Sequence, residues 1–264
     1  MLICWLYVRV MDHNPRHAIL DSIIYGPVQS RRYGWSLGVN LLPIHKKLCN
    51  FDCVYCQLGW NDQNVKIKPT EFPTADAVIN ELQNWFVNNL ASTPLDSVTL
   101  SGNGEPTLNP HFHEIALSLS QTLKSFSPST KLILLTNGSQ IHRVRIQKTL
   151  KYFAEVCVKH DPDFKMVNRP HTPYASVQTN FFHLKSLSNL VLQSCVFVGE
   201  VENLSCAYDK EWWEPILALQ PQRLDLYTID PTTSPTKIQS VSKLEMQRLK
   251  KFLSNKNICV RIVD

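Results

Sequence analysis

Apolar and polar positions follow two different periods along this chain. Short runs rich in apolar residues, several of them β-branched, are separated by longer segments in which apolar residues recur every three or four positions. The first pattern is typical of buried strands and the second of helices with one face on a core. The first pattern predicts strands at 36–42, 97–101, 131–135, 156–159, 190–197 and 223–229, and the run at 258–263 would add a seventh.

The helical period is clearest in residues 74–90, where one face carries Ala77, Val78, Leu82, Trp85, Phe86 and Leu90. Further helices are predicted at 110–126, 142–152, 174–188, 209–219 and 241–254. Strands that alternate with helices indicate βα units around a parallel sheet. Six units are two short of a closed eight-stranded barrel, so we predict an α/β fold, a partial (β/α)6 TIM-type barrel.

The length of 264 residues suits one domain, and no long linker, low-complexity tract or repeat divides the chain. We expect a core domain at 25–264 after an N-terminal extension at 1–24. The first ten residues are apolar but too few to span a bilayer, and they lack the features of a secretory signal. Met11 is an alternative start. We therefore expect a cytoplasmic protein without a membrane partner.

Charge changes this picture little. The chain has 27 basic and 22 acidic side chains, a net charge of +5, which permits an RNA partner without requiring one. The basic pairs Lys46-Lys47 and Lys250-Lys251 are predicted to be solvated surface pairs. The pair Arg31-Arg32 could grip a phosphate or carboxylate, but bracing of a loop through backbone carbonyls is the preferred interpretation.

Three of the eight cysteines, Cys49, Cys53 and Cys56, lie close together with the spacing C-x3-C-x2-C. The isolated cysteines at 4, 157, 195, 206 and 259 are expected to be small buried apolar side chains. Three thiolates on one loop can bind three corners of a cubane cluster and leave one iron open to another ligand. A zinc site is the alternative. It would need a fourth ligand such as His45, and the spacing is not usual for a zinc finger.

Other polar residues follow the predicted strands and should meet at the same mouth of the barrel. Residues 101–106 read SGNGEP, in which Gly102 and Gly104 allow close backbone approach and Glu105 presents a carboxylate to the mouth. Alone, this loop would be a tight turn with a solvated Glu. Asn137, in a Thr-Asn-Gly sequence, fits equally a turn residue or a hydrogen-bonding partner of a ligand.

Two further candidates lie on the next strands. Lys159 opens the polar group Lys159-His160-Asp161, which suits ribose hydroxyls or a carboxylate, although an exposed strand end would look the same. Gln193 lies in an apolar strand, where a buried amide needs partners. A satisfied core amide is preferred there over a ligand contact.

The cysteine spacing, with the aromatic Tyr55 before the third cysteine, resembles the radical S-adenosylmethionine superfamily. The resemblance implies a [4Fe–4S] cluster on Cys49, Cys53 and Cys56 whose open iron is chelated by the amino and carboxylate groups of S-adenosylmethionine. One electron, from a reductant such as flavodoxin or ferredoxin, would then give a 5′-deoxyadenosyl radical. The GNGEP loop resembles the superfamily's motif for the cofactor's ammonium group. We place the cofactor-binding residues at Tyr55, Gly102, Gly104, Glu105, Asn137, Lys159 and Gln193.

Four stretches between Tyr25 and Asp230 resemble one subgroup: YGPVQSRRYGWSLGVNLLP, SGNGEPTLNP, LLTNGS and NRPH at 168–171. That subgroup is related to the wyosine-forming enzymes of tRNA and includes many members of unassigned substrate. It usually has GPVPSRR and VKLD where this chain has GPVQSRR and VKHD. Only Cys4 precedes the motif, so a second cluster is not expected. We predict a radical enzyme acting on an unknown substrate, a tRNA nucleoside being one candidate. The alternative is a non-catalytic iron–sulfur or zinc protein with a redox or scaffold role.

Overall fold

A curled and mostly parallel sheet forms the centre of the molecule. The computed structural model describes residues 19–62, 64–89, 93–171, 180–185, 187–229 and 238–263. Its strands are β1 Ile24–Ser30, β2 Gly34–Val39, β3 Ser97–Leu100, β4 Lys131–Thr136, β5 Glu155–Lys159, β6 Leu190–Gly199, β7 Arg223–Thr228, β8 Ile238–Ser240 and β9 Val260–Val263.

The strands follow chain order across the sheet, as successive βα units require. Strands β2 to β7 are parallel neighbours, and β9 adds a seventh parallel strand beside β7. Strand β1 pairs antiparallel with β2, and β8 pairs antiparallel with the end of β6. The predicted partial barrel is confirmed, and so is the strand expected near the carboxyl terminus.

The helices are α1 Ala75–Asn89, α2 Phe112–Phe126, α3 Val144–Thr149, α4 Phe164–Asn168, α5 Lys210–Leu219 and α6 Lys243–Ser254. The helix predicted at 142–152 is divided into α3 and a 3-10 turn at Leu150–Tyr152. Residues 174–179 and 186 of the helix predicted at 174–188 lie outside the described residues. Within the described ranges, no helix has the length and apolar content needed to cross a bilayer.

Alternate strand residues face two different surroundings. On β4, Leu132 and Leu134 join the large core under the helices, whereas Ile133 faces the barrel interior with Cys157, Val191 and Tyr33. This alternation follows from the two-residue period of a strand. The barrel interior is therefore lined by every second strand residue, and several of these are polar.

The isolated cysteines do not share one environment. Cys157 and Cys195 are buried, as predicted, and Cys4 lies outside the described residues. The prediction is wrong for Cys206, which is half-buried, and for Cys259, which is exposed. Cys259 immediately precedes the edge strand β9, where one side of the strand lacks a neighbour among the described strands.

Strand β1 was not predicted from the sequence. It forms a hairpin with β2, and its register shifts between Tyr25 and Val28, around Gly26-Pro27. Since proline cannot donate a backbone hydrogen bond to a neighbouring strand, a strand that contains proline lies at a sheet edge or has a bulge there. Just before β1, the Leu20 backbone N–H donates to Asn103 Oδ1, in the loop after β3, at 2.8 Å.

Candidate metal centre

The predicted site residues lie on loops that follow neighbouring parallel strands. The cysteine loop follows β2, the GNGEP loop follows β3, Asn137 follows β4 and Lys159 ends β5. Carboxyl ends of parallel strands meet at one edge of the sheet, and hydrogen bonds join the first three loops directly. The structure therefore brings these separate stretches of sequence together.

Two apolar side chains anchor the cysteine loop. Phe51 and Val54 are at most 1% exposed, and the Phe51 ring meets that of Phe164 edge to face at 5.5 Å. The Val54 backbone N–H donates to the carbonyl of Val167 at 2.9 Å. The loop is thus held by α4, and the polar residues between its cysteines are left at the surface of the site.

On its other side, the cysteine loop contacts the GNGEP loop backbone to backbone. The Leu48 N–H donates to Asn103 O at 2.8 Å, and the Glu105 N–H donates to Leu48 O at 3.0 Å. Gly104 lies between these bonds with φ +139°, and a Cβ atom there would lie 1.9 Å from Leu48 O. Glycine is required at this position by both its conformation and the close approach.

Each of the three thiols has a nitrogen donor directed at its sulfur. Asn137 Nδ2 lies 3.8 Å from Cys49 Sγ and Asn168 Nδ2 lies 3.3 Å from Cys53 Sγ. Lys47 Nζ lies 3.5 Å from Cys56 Sγ. Such donors stabilise negative charge on a thiolate ligand.

Lys47 was expected at the solvated surface, and that prediction is wrong. The residue is 9% exposed, and its ammonium group also donates to the Gly59 carbonyl at 2.5 Å. The basic pair is divided, because the neighbouring Lys46 forms a partly exposed ion pair with Glu71. Consecutive residues of an extended loop point to opposite sides, so a charged pair in the sequence need not share one environment.

Burial keeps the Cys49 and Cys53 thiols protonated before a metal binds. Desolvation raises the pKa of Cys53 to about 11, and the donor Asn168 opposes this shift. The pKa of Cys49 is raised further, first by desolvation and then by the neighbouring Cys53. Because a metal binds the thiolate, binding must displace these protons.

The donor set fits an iron–sulfur cluster. The cysteines of a cluster bind different iron atoms, whereas those of a zinc site converge on one ion. Beside Cys53, the buried Asn168 Oδ1 has no hydrogen-bonding partner among the described residues, so a polar atom is left for a bound group.

Glu105 joins the GNGEP loop to the turn after β4. Its Oε1 accepts from the Thr107 hydroxyl at 2.5 Å and the Thr136 hydroxyl at 2.6 Å, and Oε2 accepts from the Asn137 N–H at 2.7 Å. The residue is 2% exposed, and burial raises the pKa of its carboxyl group despite these bonds. A carboxylate oxygen accepts two hydrogen bonds, so Oε2 retains capacity for another donor.

The second charged group of the site is centred on Lys159. Its ammonium group lies 4.7 Å from the ring centres of both Tyr55 and Tyr227 and bonds to the Tyr227 hydroxyl. The Tyr55 hydroxyl donates to Asp161. Burial alone would lower the Lys159 pKa, but the nearby Asp161 contributes to a net rise, so the amine is charged.

The remaining candidates have protein partners. Gln193 accepts from Arg32 Nη1 at 2.7 Å and donates to the Cys157 carbonyl at 3.3 Å, which satisfies the buried amide. Gly102 has φ +143°, and a Cβ atom there would lie 2.5 Å from Asn40 Oδ1. Their cofactor contacts, like those of the other candidates, stay predictions.

Asn168 was missed as a functional residue. It contacts Cys53, Tyr55 and Asp161 through one amide nitrogen. The stretch NRPH at 168–171, which contains it, resembles the subgroup, and that resemblance is the signal that the sequence offers.

Comparison with solved structures defines the class of fold. The chain matches a radical SAM methyltransferase from Sphaerobacter thermophilus with a TM-score of 0.57 and 14% identity, over 86% of this chain and 65% of that one. It also matches the structure of TYW1 with a lysine-pyruvate adduct bound, with a TM-score of 0.56 and 13% identity, over 83% of this chain and 73% of that one. A third match is to anSMEcpe with bound AdoMet, with a TM-score of 0.55 and 16% identity, over 86% of this chain and 63% of that one. The protein has the fold of radical SAM enzymes.

Sequence relatives define the family more narrowly. The chain is 35% identical over 254 residues to a UPF0026 protein of Helicobacter pylori, which covers 91% of this chain and 76% of the relative. It is 36% identical over 152 residues to a UPF0026 protein of Synechocystis, over 56% of this chain and 52% of the relative. No family model matches the chain. The protein belongs to the UPF0026 family, and the resemblance drawn from its cysteine motif is confirmed.

Proposed function

We propose that this protein is a radical SAM enzyme that binds a [4Fe–4S] cluster through Cys49, Cys53 and Cys56. The observation that carries the proposal is the set of three thiols on one loop, each with its own nitrogen donor at the sulfur. A loop held on both sides by backbone hydrogen bonds keeps these thiols in place before metal binds. The substrate stays unassigned.

When bound together, the cluster and S-adenosylmethionine would supply a 5′-deoxyadenosyl radical after one electron from a donor such as flavodoxin or ferredoxin. The chain's own residues bind and orient these groups. Glu105 Oε2 has a free acceptor position for the cofactor's ammonium group, and the charged Lys159 suits its carboxylate or a substrate anion. Tyr55 and Tyr227 keep the Lys159 ammonium group fixed between two rings.

Anaerobic reconstitution followed by reduction with dithionite tests the proposal. With S-adenosylmethionine present, the wild-type protein should bind about four iron atoms and release 5′-deoxyadenosine. Cys53→Ser should lose iron and reduce product to the protein-free level, because the thiolate is a cluster ligand. Cys259→Ser is the matched control, since Cys259 is exposed and outside the cysteine loop.

The outcomes separate the alternatives. Equal product from Cys53→Ser and the parent would refute the proposed ligand set. Iron binding without 5′-deoxyadenosine, and without a change in the reduced cluster's EPR spectrum on addition of S-adenosylmethionine, would indicate a non-catalytic iron–sulfur protein. Zinc in place of iron in protein purified anaerobically would indicate a structural metal site.

A further inference from the structure

Arg32 reaches from the β1–β2 turn into the barrel interior. Its Nη1 donates to Gln193 Oε1 at 2.7 Å, and its guanidinium carbon lies 5.6 Å from the Tyr33 ring centre and 5.5 Å from that of Tyr227. Among the described residues, its side chain donates to no backbone carbonyl. The expectation that it braces a loop in that way is therefore wrong, because the turn directs the side chain inward rather than along the loop.

The interior carboxylates are engaged by other groups. Glu155 pairs with Arg223, and Asp225 accepts from Arg223 at 2.9 Å and from Arg261 at 2.6 Å. Within the described part of the chain, no carboxylate lies at ion-pair distance from Arg32. A guanidinium has five N–H donors, and one of those of Arg32 bonds to Gln193. The half-buried charge thus keeps donors for a ligand.

A cavity of about 130 Å³ adjoins Arg32. The other residues that line it are Val28, Gly38 and Leu135 and the hydroxyl-bearing Tyr25, Ser30, Tyr33, Ser36, Thr99 and Ser101. Two pairs bond to each other, Ser36 to Thr99 at 2.7 Å and Tyr25 to Ser101 at 2.6 Å. In each pair, the hydroxyl that accepts still has its own proton to donate. The cavity therefore combines the Arg32 side chain and hydroxyl donors with apolar walls, and it has room for a group of a few heavy atoms.

We propose that this cavity binds an oxyanion group of the substrate, a carboxylate or a phosphate, on Arg32. A guanidinium presents parallel N–H groups that match the two oxygens of such a group. Apart from the bond to Gln193, the guanidinium of Arg32 has no hydrogen-bonding partner among the described residues. That the bound group belongs to the substrate rests on the proposed function. The existence of an oxyanion site does not.

The test uses the cluster-loaded protein and two probes, inorganic phosphate and acetate, titrated by calorimetry at constant ionic strength. One probe should bind with a stoichiometry of about one, and Arg32→Gln should weaken it by about tenfold or more, as for a lost charge-assisted bidentate contact. Arg32→Lys keeps the charge without the fork and should bind with intermediate affinity. Arg248→Gln, on the exposed face of α6, removes the same charge and should bind as wild type.

Saturating S-adenosylmethionine separates this site from the cofactor's own carboxylate site. The probe should still bind in its presence, and the stronger of phosphate and acetate identifies the substrate group. No binding by the wild-type protein, equal binding by Arg32→Gln, or full competition by S-adenosylmethionine would each overturn the inference. If the protein releases 5′-deoxyadenosine but binds no oxyanion, only this inference fails. If the protein binds an oxyanion through Arg32 but releases no 5′-deoxyadenosine, only the proposed function fails.

Discussion

Gly104 lies where the cysteine loop and the GNGEP loop of the proposed metal centre come closest. Gly104→Ala would place a methyl group 1.9 Å from the Leu48 carbonyl oxygen, so the cysteine loop must move away. We expect a marked loss of bound iron after reconstitution, together with a lower thermal unfolding midpoint. The backbone strain of a non-glycine residue in this conformation contributes about 1–3 kcal/mol on its own.

Gly199→Ala is the control for that strain. Gly199 has a similar φ of +129° but lies exposed at the end of β6. Its variant should lower the unfolding midpoint while it keeps the iron content of the parent. Equal loss of iron from both variants would mean that backbone strain, and not the contact with Leu48, determines cluster binding.

At this scale, the sequence predicts the proposed ligands better than it predicts the residues that surround them. Cys49, Cys53 and Cys56 are recognisable because their spacing is local. Asn168 lies 115 positions after Cys53, and no local pattern brings its amide to that sulfur. Glu105 was predicted to face the mouth, yet hydroxyl groups from two loops surround its carboxylate. Such contacts depend on how the loops pack together, and the spacing of apolar positions along the sequence does not determine that packing.

The cysteine loop and α4 form one packed unit through Phe51. Phe51 is 1% exposed and meets Phe164, so Phe51→Ala should lower the free energy of unfolding by about 3–5 kcal/mol. Because the loop loses its anchor, we also expect loss of bound iron. Both quantities can be measured on the same preparation, by urea unfolding and by iron analysis.

Phe86→Ala separates stability from metal binding. Phe86 is 3% exposed on α1 and packs in the outer core, where its ring stacks on that of Phe126 at 5.7 Å. Its removal should have a similar energetic cost while iron binding is retained. If both variants lost iron equally, general destabilisation would explain the effect and the anchoring role would be wrong.

The elements that the sequence predicts well are those with a long, regular pattern. Helices α1 and α2 and strands β3 to β7 lie within a few residues of the predicted ranges, because an apolar face must repeat along the whole element. Strand β1 is interrupted by Gly26-Pro27, and α4 has five residues. Helix α4 has too few turns, and β1 too few alternating positions, to show a periodic pattern of apolar residues. Tertiary contacts determine the structure of both elements.

Polar groups occupy three regions of the barrel interior. Glu155, Arg223 and Asp225 form the lowest level, toward the amino ends of their strands. The cavity beside Arg32 extends from the β1–β2 turn to Ser101, just after β3, and the proposed metal centre lies at the carboxyl edge. These last two regions offer donors and thiols to bound groups. The lowest level has its charges paired within the protein, which indicates a structural role for it.

Asp225 connects strands across that lowest level. Its carboxylate is fully buried and accepts from Arg223 of β7 and Arg261 of β9, while Arg223 also pairs with Glu155 of β5. Asp225→Asn would leave two guanidinium groups facing each other without the charge between them. Breaking a buried pair in this way usually costs about 3–5 kcal/mol. We expect a decrease of that size in the free energy of unfolding, measured in urea.

Glu114→Gln provides the matched loss of one negative charge. Glu114 pairs with Arg145 on the outside of the molecule, where both side chains are about half exposed. Since solvent screens such a pair, its loss should change the free energy of unfolding by less than about 1 kcal/mol. A similar cost for both variants would show that net charge, and not the buried network, determines the effect. If Asp225→Asn alone is costly, the barrel depends on ion pairs to keep β9 beside β7.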